Sequence, residues 1–136
     1  MGHMETISEL RPFVKQRYIL LSTRRQDGSA AHTPVSIVVE GDHAYIRTFS
    51  SAWKVERMRN HPVVEIAPST VRGAPTGPSI GAWARLLPQG SKENTRAARL
   101  LSRKYPALHG VFVPLIHRIK RDRTLHYELR PIRDEE

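Results

Sequence analysis

Ser50-Ser51-Ala52-Trp53-Lys54-Val55-Glu56-Arg57-Met58-Arg59-Asn60-His61-Pro62 is the stretch around which the chain is organised. One strand-like run, Ala44 to Phe49, leads into it and another, Val63 to Ala67, leaves it. The two serines at its start and Asn60-His61-Pro62 at its close are start and stop signals for a short helix. The first N–H groups of such a helix lack internal partners, and the helix dipole adds partial positive charge there. Lys54 and Arg57, three apart, share one face, and Val55 and Met58 share another. The segment therefore reads either as a phosphate cradle or as a solvated basic helix packed on a sheet through Val55 and Met58.

Working outward, Arg17 to Thr23 is a mostly apolar strand, and Asp27-Gly28 marks a tight reversal into a partner strand, Ala31 to Val39. Pro34 lies inside that partner; a residue with no N–H to give belongs at an edge, a bulge or a ligand site. Glu40-Gly41-Asp42 turns the chain into the strand that delivers the central segment. At the front, Thr6-Ile7-Ser8-Glu9 has the form of a capping box and predicts a short helix interrupted near Pro12. Beyond Ala67 comes a Gly/Pro-rich loop, Pro68 to Pro78, then a strand, Ile80 to Leu87, in which Gly81 signals a bulge or close backbone approach. Ser91 is a good N-cap for a helix to about Tyr105, with Ala97, Leu101 and Tyr105 at four-residue spacing. A further helix is expected over Val111 to Ile119. Thr124 to Arg130 alternates, with Leu125, Tyr127 and Leu129 inward and His126, Glu128 and Arg130 outward. Short turns between the early strands require antiparallel neighbours. About six such strands with few helices make a mainly β protein, a small antiparallel barrel with peripheral helices.

The chain of 136 residues is read as one domain over residues 5–136, with Met1 to Met4 as a tag remnant. No apolar run is long enough to span a bilayer, and the absence of cysteine removes disulfide and thiolate chemistry. Both favour a cytoplasmic protein. A net charge of +9, from 22 Lys+Arg against 13 Asp+Glu, calls for an anionic partner. Nucleic acid is the least favoured, because the basic run Arg118 to Arg123 has no aromatic stacking platform or recognition helix beside it. No hydrolase, Walker or dinucleotide motif is present, and the scattered histidines lack metal-ligand spacing. Arg72, on the glycine-rich loop, could meet a phosphate or carboxylate bidentately, or simply be solvated. Trp53 and Trp83 read as core or interface aromatics, or as a wall for a flat ring.

The order Arg17 to Thr23, Asp27-Gly28, Thr33-Pro34-Val35 and Tyr45-Ile46-Arg47-Thr48 resembles the split-barrel, FMN-binding-like superfamily of pyridoxamine 5'-phosphate oxidase-like proteins. Lys54 to Val63, Ala67-Pro68 and Arg72 to Pro78 are similar to its deazaflavin-dependent oxidoreductase branch, which uses coenzyme F-420. The resemblance implies a homodimer with the cofactor in a groove at the subunit interface. Thr33, Pro34, Val35 and Ser36 would run beside the ring. Arg47, Thr48, Ser50, Ser51 and Lys54 would hold the phosphate, and Arg57 and Arg72 would meet the phosphate or an anionic tail. Ser36 stands where relatives usually carry a large residue, and Ala52-Trp53 replaces a pair that is usually small. The activity implied is hydride transfer to an electron-poor small molecule, with no general acid or nucleophile assigned. FMN is the alternative cofactor, as in a flavin reductase; a non-catalytic carrier is the other reading.

Overall fold

The computed structural model describes residues 5–50, 52–105 and 123–133. Ser51, the helix expected over Val111 to Ile119 and most of the basic run before Arg123 lie outside them. Six antiparallel strands close into a barrel: β1 (Tyr18–Arg24), β2 (Ala30–Glu40), β3 (His43–Phe49), β4 (Val63–Ser69), β5 (Ile80–Leu86) and β6 (Thr124–Pro131). Around the barrel the order is β1-β2-β3-β6-β5-β4, with β4 pairing back onto β1. The expected meander is therefore β1-β2-β3, and the last strand returns to close the sheet beside β3.

Alternation decides the core. Ile19 and Leu21, Val35 and Ile37, Ala44 and Ile46, Val64 and Ile66, Ala82, and Leu125, Tyr127 and Leu129 point inward and are buried together. Helix α1 (Trp53–Asn60) adds Val55 and Met58 at the end where β1 and β3 finish. At the end where β1 begins, a 3-10 helix, Ser8–Phe13, inserts Leu10 and Phe13. The capping box expected there does not form: Ile7 is the N-cap, without a side-chain bond, and the Ser8 hydroxyl donates to Glu9. Pro12 sits within this helix, which the short 3-10 geometry tolerates.

Helix α2 (Lys92–Lys104) starts as expected, the Ser91 hydroxyl accepting from the Asn94 N–H at 3.1 Å. Ala97, Leu101 and Tyr105 form a second apolar cluster with Tyr45 and Leu87 on the outside of the barrel. This covering element buries His126 (3% exposed) and Glu128 (5%), which alternation alone assigns to solvent. Glu128 is held there by Arg85 and Arg130, whose guanidinium groups keep its carboxyl below the usual range although burial pushes the other way. No described helix is long and apolar enough to cross a membrane.

Strand β2 changes partner along its length. Ala30 to Ser36 pair with β1, whereas pairing with β3 begins only at Ile37. At that fork the Tyr105 hydroxyl lies 2.6 Å from the Arg17 carbonyl and 2.7 Å from the Ile37 carbonyl, its single proton serving one at a time, and it receives the Ile37 N–H (3.3 Å). Lys104 Nζ donates to the carbonyls of Gln16 and Ile37 at 2.6 and 2.9 Å. The end of α2 thus supplies the hydrogen bonds that the ladder lacks where its two halves part.

Candidate functional site

The turn from β3 into α1 is fixed by backbone bonds rather than by a serine cap. Ser50 exchanges bonds with Arg123, its N–H reaching the Arg123 carbonyl at 3.0 Å and its hydroxyl accepting the Arg123 N–H at 3.2 Å. Ala52 takes the N-cap position and offers no side-chain acceptor. The start of α1 therefore keeps N–H groups that no described side chain caps, at the positive end of the helix dipole.

Lys54 and Arg57 flank this start on the side facing β1. Arg57 Nε donates to Thr23 Oγ1 at 2.6 Å, on an inward-facing hydroxyl that is itself buried. Burial lowers the pKa of Lys54, and the neighbouring Arg57 charge lowers it further. Arg57 is shifted down by burial and then by Arg25, which the β1–β2 hairpin brings alongside. Among the described residues neither Lys54 nor Arg57 makes an ion pair, in contrast to Arg85, Arg96 and Arg130, each of which meets a carboxylate. A half-buried ammonium beside a guanidinium, with no counter-charge in place, is a site made for an anion. Thr23 and Arg25 are members that sequence reading left out; the alternation of β1 points Thr23 inward and could have found the first.

Strand β3 sends its two expected members in opposite directions. Thr48 follows Ile46 into the barrel, where its Oγ1 is buried without a hydrogen-bond partner among the described residues. Arg47 faces outward beneath α2, opposite His126 in the ladder, and its Nε donates to His126 Nε2 at 3.1 Å. Arginine only donates, so Nε2 of that ring is unprotonated and the proton sits on Nδ1, 2.9 Å from Asn94 Oδ1. Burial, then the Arg47 charge, pushes the His126 pKa down to about 4. Burial pushes Arg47 down to about 10.

On β2 the four expected residues also divide. Val35 is core, with Thr33 on the same inward-facing side, while Pro34 and Ser36 lie on the outer face. With no described strand pairing Ala30 to Ser36 on the β3 side, this part of β2 is a free edge, and Pro34 stands on it as its missing N–H requires. The turn that carries Arg72 folds over the same place. Gly73, at φ +90°, comes so close that an added Cβ would lie 3.5 Å from Leu20 Cδ1 and 3.7 Å from Pro34 Cγ. Arg72 itself is exposed, with no ion pair among the described residues.

The expected residues thus form three groups: Lys54, Arg57 and the Ser50 turn at the start of α1; Pro34, Ser36 and Arg72 at the free edge; and Arg47 beneath α2. Trp53 (79% exposed) and Trp83 (54%) are not core residues. The residues present fit a phosphate-bearing group at the first set, because they combine N–H groups that no described side chain caps with cations that meet no carboxylate among the described residues.

No protein-family model matches the sequence, and no curated protein sequence matches it. Solved structures do match, at low identity. An FAD-binding protein from Mesorhizobium loti superposes with TM-score 0.65 at 15% identity, covering 97% of this chain and 94% of its own. A Listeria innocua protein assigned as a pyridoxamine 5'-phosphate oxidase gives 0.61 at 14%, covering 88% and 86%. An F-420 reductase gives 0.60 at 13%, covering 90% and 92%. At these identities the likeness is one of fold.

Proposed function

Starting from a split barrel of the pyridoxamine 5'-phosphate oxidase kind, we propose that this protein is an oxidoreductase holding a phosphate-bearing tricyclic cofactor, coenzyme F-420 first and FMN as the alternative. The observation that carries this reading is the half-buried Lys54 beside Arg57 at the start of α1, with no carboxylate among the described residues to answer either charge. The match to an FAD-binding protein and to an F-420 reductase supports a cofactor of this class. When bound, the ring supplies two-electron hydride transfer to an electron-poor organic substrate.

The chain's own part is grip and orientation. Lys54 and Arg57 neutralise the phosphate, and Thr23, by accepting from Arg57 Nε, keeps that guanidinium aimed. Arg47 braces β3 from behind through His126 rather than competing for the same charge. The free edge of β2 offers main-chain donors and acceptors to the polar rim of a flat ring, and Pro34 sets where that row is interrupted. Arg72 answers an anionic tail. Pro34 and Arg72 lie on the outer face of β1–β2, whereas Thr23 and Arg57 lie on its inner side. A two-fold homodimer, in which the outer face of one subunit meets the α1 end of the other, brings both sets onto one ligand.

Parallel calorimetric titrations of the apoprotein with coenzyme F-420 and with FMN test this. Tighter binding of F-420 is expected, together with a dimer by sedimentation. Tighter FMN binding would make it a flavin enzyme. Binding without reduction of any of a panel of quinones, nitroaromatics and tetrapyrroles would make it a carrier, and binding of neither cofactor would end the proposal.

A further inference from the structure

Helix α1 has a second flank. Helical spacing turns Glu56 and Arg59 to the side away from Lys54 and Arg57. There, Met58 and Arg59 of α1, Pro62, Leu86 of β5 and Tyr127 of β6 enclose a groove of about 250 Å³. It shares Val55 and Arg59 with a hollow of about 310 Å³ that runs on to Ala52 and Trp53. Each volume suits a small ligand rather than a protein surface.

Three features make this a site rather than a gap in the packing. Trp53 and Leu86 remain 79% and 48% exposed at its two ends, an arrangement with no purpose for the core. Tyr127 is 4% exposed and forms part of the groove's wall. Arg59 lies close enough to offset part of the upward push that burial gives the Tyr127 phenol. Its ion pair with Glu56, at 3.1 Å, joins two exposed side chains and is easily exchanged for a better partner. A phenol and a guanidinium that line the same groove can both donate to one oxygen acceptor, ideally a charged one. Glu56 disfavours a second negative charge at the same end. The remaining wall is apolar, and the indole offers a face for stacking.

We propose that this groove binds a planar aromatic carboxylate of about two fused rings, its carboxylate on Arg59 and Tyr127 and its rings between Met58, Leu86 and Trp53. The site adjoins the anion site, since Ser50 lines the far end of the hollow, but its carboxylate partners lie on the flank of α1 away from Lys54.

The test titrates the full chain with 2-naphthoate and with its neutral isostere 2-naphthamide, by calorimetry and by Trp53 fluorescence. One saturable naphthoate site per chain is expected, the amide binding roughly tenfold more weakly or worse. Arg59→Gln, on an exposed side chain, should weaken naphthoate by about tenfold or more, since a charge-assisted hydrogen bond is lost. Leu86→Asp should abolish binding, Tyr127→Phe should weaken it several-fold, and Trp53→Phe should remove the quenching. Arg59→Gln should leave the FMN and F-420 affinities unchanged. Equal affinity for acid and amide would overturn the proposal. So would indifference to Arg59→Gln and Leu86→Asp, or self-association that Leu86→Asp abolishes, which would place a second copy in the groove.

Discussion

Replacing Lys54 by methionine keeps the apolar stem that packs along α1 and deletes only the ammonium. The empty and loaded proteins should respond with opposite signs. In the empty protein the ammonium is half buried and stands beside Arg57, and both burial and that like charge lower its pKa. A base whose folded pKa falls below its unfolded value of 10.5 costs stability wherever it is charged in both states. That cost is present at neutral pH and is relieved as pH rises between the two values. Solvent screening on an incompletely buried flank keeps it small, so Lys54→Met should stabilise the apoprotein by about 0.5 kcal/mol in urea unfolding. The loaded protein loses a charge-assisted hydrogen bond to phosphate, about 1.5–3 kcal/mol, or roughly 10- to 150-fold in Kd. Calorimetric titration with F-420 or FMN and urea melts of the same preparations read the two effects separately. An unchanged Kd would refute the cradle. Lost binding accompanied by a destabilised apoprotein would refute the argument too, since it would show Lys54 to be structural.

The neutral His126 makes acid its own probe. Its pKa falls from 6.5 to about 4, so its contribution is complete above the unfolded value and is lost as pH drops through that window. Stability should fall by roughly 3 kcal/mol between these values, and the ring resonances should not titrate until about pH 4. A His126 resonance titrating near 6.5 would refute this. Thr48→Val replaces an unpartnered buried hydroxyl by a methyl of the same shape. It should raise stability by about 1 kcal/mol in urea unfolding. A loss of stability would mean that the hydroxyl has a partner. Gly73→Ala forces a side chain into φ +90° against Leu20 and Pro34. It should cost about 1 kcal/mol or more and weaken binding of an anionic tail by moving Arg72, as thermal melts and F-420 titration would show.

The barrel was legible because its signals are local. Asp27-Gly28 sets the first hairpin, the inward positions of β1, β3 and β6 repeat every second residue, and the Ser91 cap starts α2 where expected. What alternation cannot reveal is which part of the outer surface another element covers. His126 and Glu128 look solvent-facing in the chain and become buried only because α2 crosses them. The same packing sets Arg47, expected to meet a phosphate, against an imidazole that the sequence does not link to it. Ser50 looks like a helix cap, but pairing with Arg123, distant in sequence, takes its hydroxyl. Thr23 and Arg25 were missed for the same reason: they join Arg57 through the meeting of a hairpin and a helix that no spacing rule links.

The phenol of Tyr105 couples the barrel wall to the helix that covers it. It occupies the fork where β2 leaves β1 for β3, tying the carbonyls of Arg17 and Ile37 to the last turn of α2. Prising those strands apart to admit a bulkier guest must also lift that turn from the barrel wall. Opening of that fork and seating of the helix are therefore coupled through one hydroxyl.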